Sequence, residues 1–578
     1  MIQVSVPSLP SSKGTRLTMY TLLLLLVVQG SGSSFSDREY QGFSDFLDGV
    51  ISCRGVTGGV VTLVKDERVV LTKSFGYYDL ERRRKATVNT RFFIGSLTKA
   101  FTSAVIAKLL AEHPSYTWDT PIAHILGPSF RLANDLLSKS VNLRDVLAHK
   151  VGVPSNFSPL LVGFPENTTR EDFVRMLGYQ EPLYPLRTKF VYSNYMYVLA
   201  GFVAEKMGGK PWETLVKELL FEPLGMRDSG FVSDVKNFTQ YPSAFAYVDG
   251  RLERVDQNLL FSVLPGGPAG SIYTTADDMN KWMNFNLGNG SISNGSVVIP
   301  DKYFTELHKE QMSSPFSKNN LYKPVYPIAD MTLSYCLGWV SSVYRGYRKI
   351  WHSGGIVGYS SLLWLFPDLK AGVFVTITGA KDNQYRPSLY TIASQASDLL
   401  LGNTPWLNES TSCTFPAPWK DLKSIQHGNP QKPHPELYWN ITVSQATYAG
   451  LYGHLAFGNM TITSDGDGIL LNYGRFGRLR LLPINEQLFL GFFIDSLSFT
   501  TNSDGNTEPL VIDFKFNALG AVESIEFPVD FSVPQKTSFK RIDKSRSRYT
   551  RNYSVMTKAE GGGVGTFLSV TAAWCLFH

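Results

Sequence analysis

A serine followed three residues later by a lysine occurs twice in prominent settings of this chain. One pair is Ser96–Lys99 in "RFFIGSLTKAFTSAV" (91–105), the other Ser233–Lys236 in "VSDVKNF". A serine hydroxyl attacks a carbonyl only when a base removes its proton. Side chains at i and i+3 of a helix share a face, so a lysine kept neutral by burial can be that base. The spacing is identical in the two pairs, so their surroundings must separate them. After Ser96, the residues Leu97, Ala100, Phe101, Ala104, Ile106, Leu109 and Leu110 populate most faces of the predicted helix, the pattern of a buried one. A helix start also sets the Ser96 N–H at a positive dipole end, suited to half of an oxyanion hole. Ser233 lies beside the sequon at Asn237 with no apolar helix after it, and reads as an ordinary surface residue.

The elements around Ser96 must hold it. "GGVVTLVKDERVVLTKSFGYYD" (58–79) alternates apolar residues around a charged turn, as a hairpin does. Helices are predicted over 142–150 and 196–207, and strands joined by turns over 350–379. Helices gathered between an early hairpin and late strands imply an α+β fold, an α/β sandwich with an antiparallel sheet. The stretch 401–439 is rich in Pro, Ser, Asn and Thr and reads as a linker. From 440 to 542, short strands with Gly/Asp turns imply a small C-terminal β-barrel-like domain. The expected layout is a signal peptide over 1–32, a first domain over 36–400, the linker, the β domain, and a basic then apolar tail over 543–578.

Two further motifs extend the chemistry. Tyr192-Ser193-Asn194 lies in "FVYSNYMYVLAG" and His352-Ser353-Gly354 in "WHSGGIVGYS", and both follow "FFIGSLTKAFTS" in the chain. With "LFEPLGMRDSGF" (220–231) and "LPGGPAGSIYTTADDMNKWM" (264–283), residues 58–380 resemble the serine β-lactamase and penicillin-binding-protein superfamily, nearest its class C β-lactamase, D-aminopeptidase and esterase branch. The resemblance implies a β-lactamase/transpeptidase-like domain in which Ser96 is the nucleophile and Lys99 and Tyr192 move protons. It also implies that Asn194, His352 and Gly354 bind substrate and that the Gly355 N–H is the second oxyanion donor. Two departures stand out. His352 occupies the place where many relatives carry the lysine of Lys-Thr-Gly, and a histidine is mostly neutral near pH 7. "LAHKVGVPS" stands where relatives usually read Thr-His-Thr-Ser-Gly. The first departure weakens antibiotic hydrolysis and leaves ester or amide hydrolysis open, with a small molecule, peptide or ester as substrate and no cofactor.

At 578 residues two or more domains are expected. Lys13 and Arg16 precede the apolar run 17–28 and the small residues "QGSGSS", the layout of a secretory signal peptide. Behind it stand nine Asn-x-Ser/Thr sequons, at Asn156, Asn167, Asn237, Asn289, Asn294, Asn408, Asn440, Asn459 and Asn552, which fit a secreted glycoprotein. The four cysteines are too few for a disulfide scaffold and leave the pairing of one or two bridges open. The nine histidines include no zinc-hydrolase pattern, so no metal is expected. Net charge is +6, and no basic patch interleaved with aromatics suggests nucleic acid. The basic stretch 539–551 reads as a solvated tail, with acidic membrane or matrix polymers as its sharper alternative partners. The apolar end over 560–578 lacks the polar spacer of a lipid-anchor signal and reads as a disordered end. A rival to the enzyme is an idle binding or structural protein, as some secreted β-lactamase-like proteins of mollusc shell matrix suggest by resemblance. A Ser96 Oγ far from both Lys99 and Tyr192 would favour that rival.

Overall fold

A computed structural model describes residues 35–248, 250–314, 329–381, 384–419, 441–464, 468–500, 509–530 and 535–542. The sheet is built from β1 (Gly58–Lys65), β2 (Arg68–Asp79), β3 (Arg84–Lys85), β4 (Met312–Ser313), β5 (Asp330–Tyr335), β6 (Val340–Tyr344), β7 (Tyr347–Ile356), β8 (Tyr359–Phe366) and β9 (Ala371–Thr378). Among the described residues these nine lie in the order β3-β2-β1-β9-β8-β7-β6-β5-β4, every pair antiparallel. The predicted hairpin over 58–79 is β1 and β2. Its two-residue turn, Asp66 and Glu67, has both residues at positive φ, the turn whose twist matches paired strands.

Successive strand residues point to opposite faces, and here both faces are covered. Val60 and Val64 of β1, Leu363 and Leu365 of β8 and Phe374 of β9 enter the larger core. Val61 and Leu63, Leu362 and Trp364, and Val373 and Val375 enter a second core on the other face. Six helices matter to this arrangement: α1 (Asp37–Arg54), α2 (Thr98–Glu112), α3 (Phe157–Val162), α4 (Asn194–Gly208), α5 (Ala276–Leu287) and α6 (Tyr385–Leu400). α1 and α6 cover the second face, while α2, α4 and α5 belong to the larger core. α2 buries nearly every residue from Thr98 to Leu110, as its all-round apolar sequence requires.

The segment after α6 is not a free linker through its first half. Cys53 of α1 is bridged to Cys413, and Leu407, Phe415 and Trp419 are buried in the second core. Arg54, almost wholly buried, donates from Nε to the Ser412 carbonyl and from Nη2 to that of Phe415, each at 2.9 Å. Polar composition hid these few anchoring residues. The rest of the expected linker, 420–439, lies outside the described residues, as do the signal peptide and the tail from 543 onward.

The C-terminal domain is a closed antiparallel barrel of eight strands: β10 (Gly450–His454), β11 (Gly458–Ser464), β12 (Ile469–Tyr473), β13 (Gly477–Pro483), β14 (Leu488–Phe493), β15 (Leu510–Phe516), β16 (Val522–Phe527) and β17 (Thr537–Ile542). β17 closes it against β10, which removes the exposed edges of an open sheet. Residues 539–542 of the basic stretch therefore belong to the closing strand rather than to a tail. Arg541 donates to the Ala449 carbonyl at 2.7 Å.

Candidate active site

Ser96 sits on a 3-10 turn (Gly95–Leu97) that leads into α2, so its side chain meets that of Lys99 one turn on. Lys99 Nζ lies 3.0 Å from Ser96 Oγ, 2.7 Å from Asn194 Oδ1 and 2.8 Å from the Ala269 carbonyl oxygen. No carboxylate is among these partners. Burial alone drives the Lys99 pKa well below the ordinary lysine value, because desolvation penalises the ammonium. A neutral amine has two N–H donors and one lone pair. The two carbonyl-type oxygens can only accept, so they take both donors and the lone pair is left facing Ser96 Oγ.

Tyr192 Oη donates to Ser96 Oγ at 3.0 Å from the other side. Burial pushes the Tyr192 pKa above the usual phenol range, so the phenol stays protonated as a hydrogen-bond donor and the neutral Lys99 amine is the group able to accept a proton. His149 braces this tyrosine, with its ring centroid 4.4 Å from that of Tyr192 and Nδ1 accepting from the Ser193 N–H at 3.0 Å. Asn194 opens α4 as its first residue, and its side chain faces Lys99 instead of capping the helix.

The sheet edge supplies the other wall. β6 pairs with β7 only as far as Val340–Trp351, which leaves His352–Ile356 with β8 on one side and an open edge on the other. The turn Val357–Gly358 between β7 and β8 has two residues, both at positive φ, so Ile356 and Tyr359 form its hydrogen-bonded pair. Antiparallel pairing alternates, which leaves Gly355 in a non-hydrogen-bonded position with its N–H directed off the open edge. Gly95 at φ +51° lies against this strand, and a Cβ there would stand 2.8 Å from Gly355 N. Ser96 N–H, in the first turn where amides lack intrahelical acceptors, and Gly355 N–H are the two backbone donors available to a developing oxyanion. A Cβ on Gly354 would lie 1.9 Å from the Ile94 carbonyl oxygen, so a glycine here permits the strand's close approach.

The family model described as Beta-lactamase matches residues 43–397. The chain belongs to the Beta-lactamase family. The unguisins hydrolase ungD of Aspergillus violaceofuscus is 26% identical over 428 residues, covering 71% of this chain and 75% of that protein. Protein flp of Staphylococcus aureus is 24% identical, over 58% of this chain and 61% of its own length. Among solved structures, the octameric penicillin-binding protein homologue from Pyrococcus abyssi superposes with a TM-score of 0.52 at 21% identity, covering 86% of this chain and 99% of that one. The D-amino acid amidase from Ochrobactrum anthropi SV3 does so at 0.51 and 19% identity, covering 63% and 98%. These two share the fold.

Within this Beta-lactamase-family site, His352, expected as a substrate contact, has both ring nitrogens partnered by the protein. Its Nδ1 lies 2.6 Å from the Ser353 carbonyl oxygen, which can only accept, so Nδ1 carries the proton. Nε2 then accepts from Tyr335 Oη at 3.0 Å. Burial lowers the His352 pKa to about 3. The ring is a neutral, fully partnered brace behind the edge strand. Ser233 is exposed on a 3-10 turn with an exposed Lys236, as expected of a surface pair.

Of the nine sequons, Asn167, Asn237, Asn289, Asn294, Asn408 and Asn459 are exposed, and Asn440 and Asn552 lie outside the described residues. Asn156 is a correction. It is buried, its Nδ2 donates to Gln180 Oε1 at 2.8 Å, and the folded chain has no room for a glycan there. The Ala269 carbonyl, His149 and Tyr335 were missed as site residues. "LPGGPAG" and "LAHK" stood out as blocks, but no side-chain chemistry marked a backbone carbonyl or a packing ring.

Proposed function

We propose that this chain is a secreted serine hydrolase that acylates Ser96 and hydrolyses an ester or amide. The reading is carried by one observation: Ser96 Oγ lies 3.0 Å from both Lys99 Nζ and Tyr192 Oη, with the two remaining Lys99 contacts to oxygens that only accept. The Ser96 proton passes to the Lys99 lone pair as Oγ bonds to the substrate carbonyl carbon. The carbonyl electron pair moves to oxygen, facing the N–H groups of Ser96 and Gly355. Collapse expels the alcohol or amine, which takes its proton from Tyr192, and the Lys99 ammonium restores that proton to the phenol. Water then repeats the sequence on the acyl-enzyme and frees the acid. Relatives named as hydrolases support this class of reaction. The short distances favour the enzyme over the idle scaffold. Secretion is supported by the Cys53–Cys413 bridge, a bond that persists in oxidising compartments, and by the six exposed sequons.

A fluorophosphonate probe followed by peptide mass mapping tests the assignment. The intact protein should carry the label on Ser96, and Ser96→Ala should lose both label and turnover. Labelling that survives in Ser96→Ala sinks the proposal.

A further inference from the structure

Beside Ser96 the site opens into a cleft whose walls are Phe157 and Leu160 of α3, Val198 of α4, Val263 and Ile356, with Asn194 as the polar side chain next to the nucleophile. Among the described residues no charged side chain lines it. The cleft is open space beside Ser96, room for the acyl part of a substrate. A ligand carboxylate would find no cation here. Lys99 spends its protons on Asn194 Oδ1 and the Ala269 carbonyl, and the His352 ring is neutral with both nitrogens partnered.

The apolar wall is a built feature. α3 would be a short, half-exposed helix on its own, but the barrel holds it. Ser158 donates from N to the Val529 carbonyl at 2.9 Å and from Oγ to that of Pro528 at 2.8 Å, and the Asn156 N–H donates to Asp530 Oδ2 at 3.0 Å. At the other end, Phe476 N–H donates to the Val162 carbonyl at 2.8 Å. Phe157 and Leu160 remain half-exposed, turned to the cleft, while Ser158 and Val162 are buried against the barrel.

We infer that the acyl group accepted by this site is uncharged and apolar, seated on Phe157, Leu160, Val198 and Ile356. The inference rests on the hydrolase reading above and names its substrate class. Burying each added methylene stabilises the bound state by an amount worth roughly fourfold in kcat/KM until the cleft is full.

The test is a p-nitrophenyl ester series of acetyl, butanoyl, hexanoyl and octanoyl acyl groups, with the hemisuccinyl ester as the charged counterpart of butanoyl. The intact chain should gain roughly fourfold per methylene at the short end of the series and prefer butanoyl to hemisuccinyl by about a hundredfold. Phe157→Ala should flatten the chain-length slope, and Leu160→Arg should shift the butanoyl-to-hemisuccinyl ratio toward the charged ester. A flat series, or a hemisuccinyl rate equal to the butanoyl rate, overturns the inference. Fluorophosphonate labelling separates the two levels. Label on Ser96 with a flat series removes the acyl preference alone, whereas no label and no ester turnover removes the hydrolase reading with it.

Discussion

Two lysines of this molecule are fully buried on opposite sides of the same sheet, and their partners give them opposite uses. Lys349 of β7 lies 2.6 Å from Asp330 Oδ1 and 3.8 Å from the centre of the Trp364 ring. Burial lowers its pKa, and the Asp330 charge works against that shift. Lys99 suffers the same desolvation with neutral oxygens only, so nothing returns its proton affinity. A buried ammonium beside a carboxylate is a structural cation. The same group among carbonyl oxygens is an amine with its lone pair free for chemistry.

Exchanging each lysine for methionine gives the widest separation. Lys99→Met should lower kcat/KM about a thousandfold, the loss expected for a general base, and should not lower the urea midpoint, since the cost of deprotonating this lysine on folding leaves with it. Lys349→Met should leave kcat/KM of the folded protein unchanged. It strands the Asp330 carboxylate, which costs about 3–5 kcal/mol of stability. Adding Asp330→Leu should recover most of that loss, because an apolar pair of similar volume replaces an ion pair. If Lys349→Met instead abolishes turnover at full stability, the division between the two lysines is wrong.

A smaller effect separates them by pH. Turnover requires neutral Lys99, so kcat/KM should rise with pH to a plateau, with a midpoint well below the ordinary lysine value of about 10.4. The Tyr192 phenol is held protonated beyond its usual range, so it should impose no falling limb below about pH 10. A midpoint at the ordinary lysine value would mean that Lys99 is solvated in the working enzyme.

How much of this is legible in the sequence follows from what kind of contact each residue makes. Ser96 and Lys99 could be chosen over Ser233 and Lys236 because burial of a helix is written in the residues that follow it. The hairpin, the central strands and the closed barrel follow from period-two alternation and turn residues, which are local signals. His352 lies in the strand its motif implies, but its tautomer depends on Tyr335, a partner no local pattern announces. Asn156 matches a sequon as well as the exposed ones do. Its burial against Gln180 and the barrel is a long-range contact between two domains. The Cys53–Cys413 bridge likewise joins residues 360 apart, across a stretch whose composition reads as linker.

The smallest predicted effect concerns stability. His308 and His352 are buried neutral, each with its pKa lowered to about 3, chiefly by desolvation. Unfolded histidine titrates near 6.5, so between about pH 6.5 and 3 the unfolded chain binds more protons at these two sites. Stability contributed by them is complete above pH 6.5 and is lost as pH falls. Lys99, also depressed, acts in the same direction. Asp398 acts in the opposite one, because burial raises its pKa to about 6 and the folded chain binds its proton more readily between about pH 4 and 6. Burial also depresses His454 and raises Glu205, and the larger displacement of the two histidines over that of Asp398 leaves a net loss on acidification. The urea midpoint should therefore fall from pH 7.5 to 4.5, and His308→Phe, which removes a titrating group remote from Ser96, should make that fall shallower while its kcat/KM at pH 7.5 stays near that of the unaltered chain. A midpoint that rises on acidification would mean that Asp398, and not the histidines, governs the fold's response to acid.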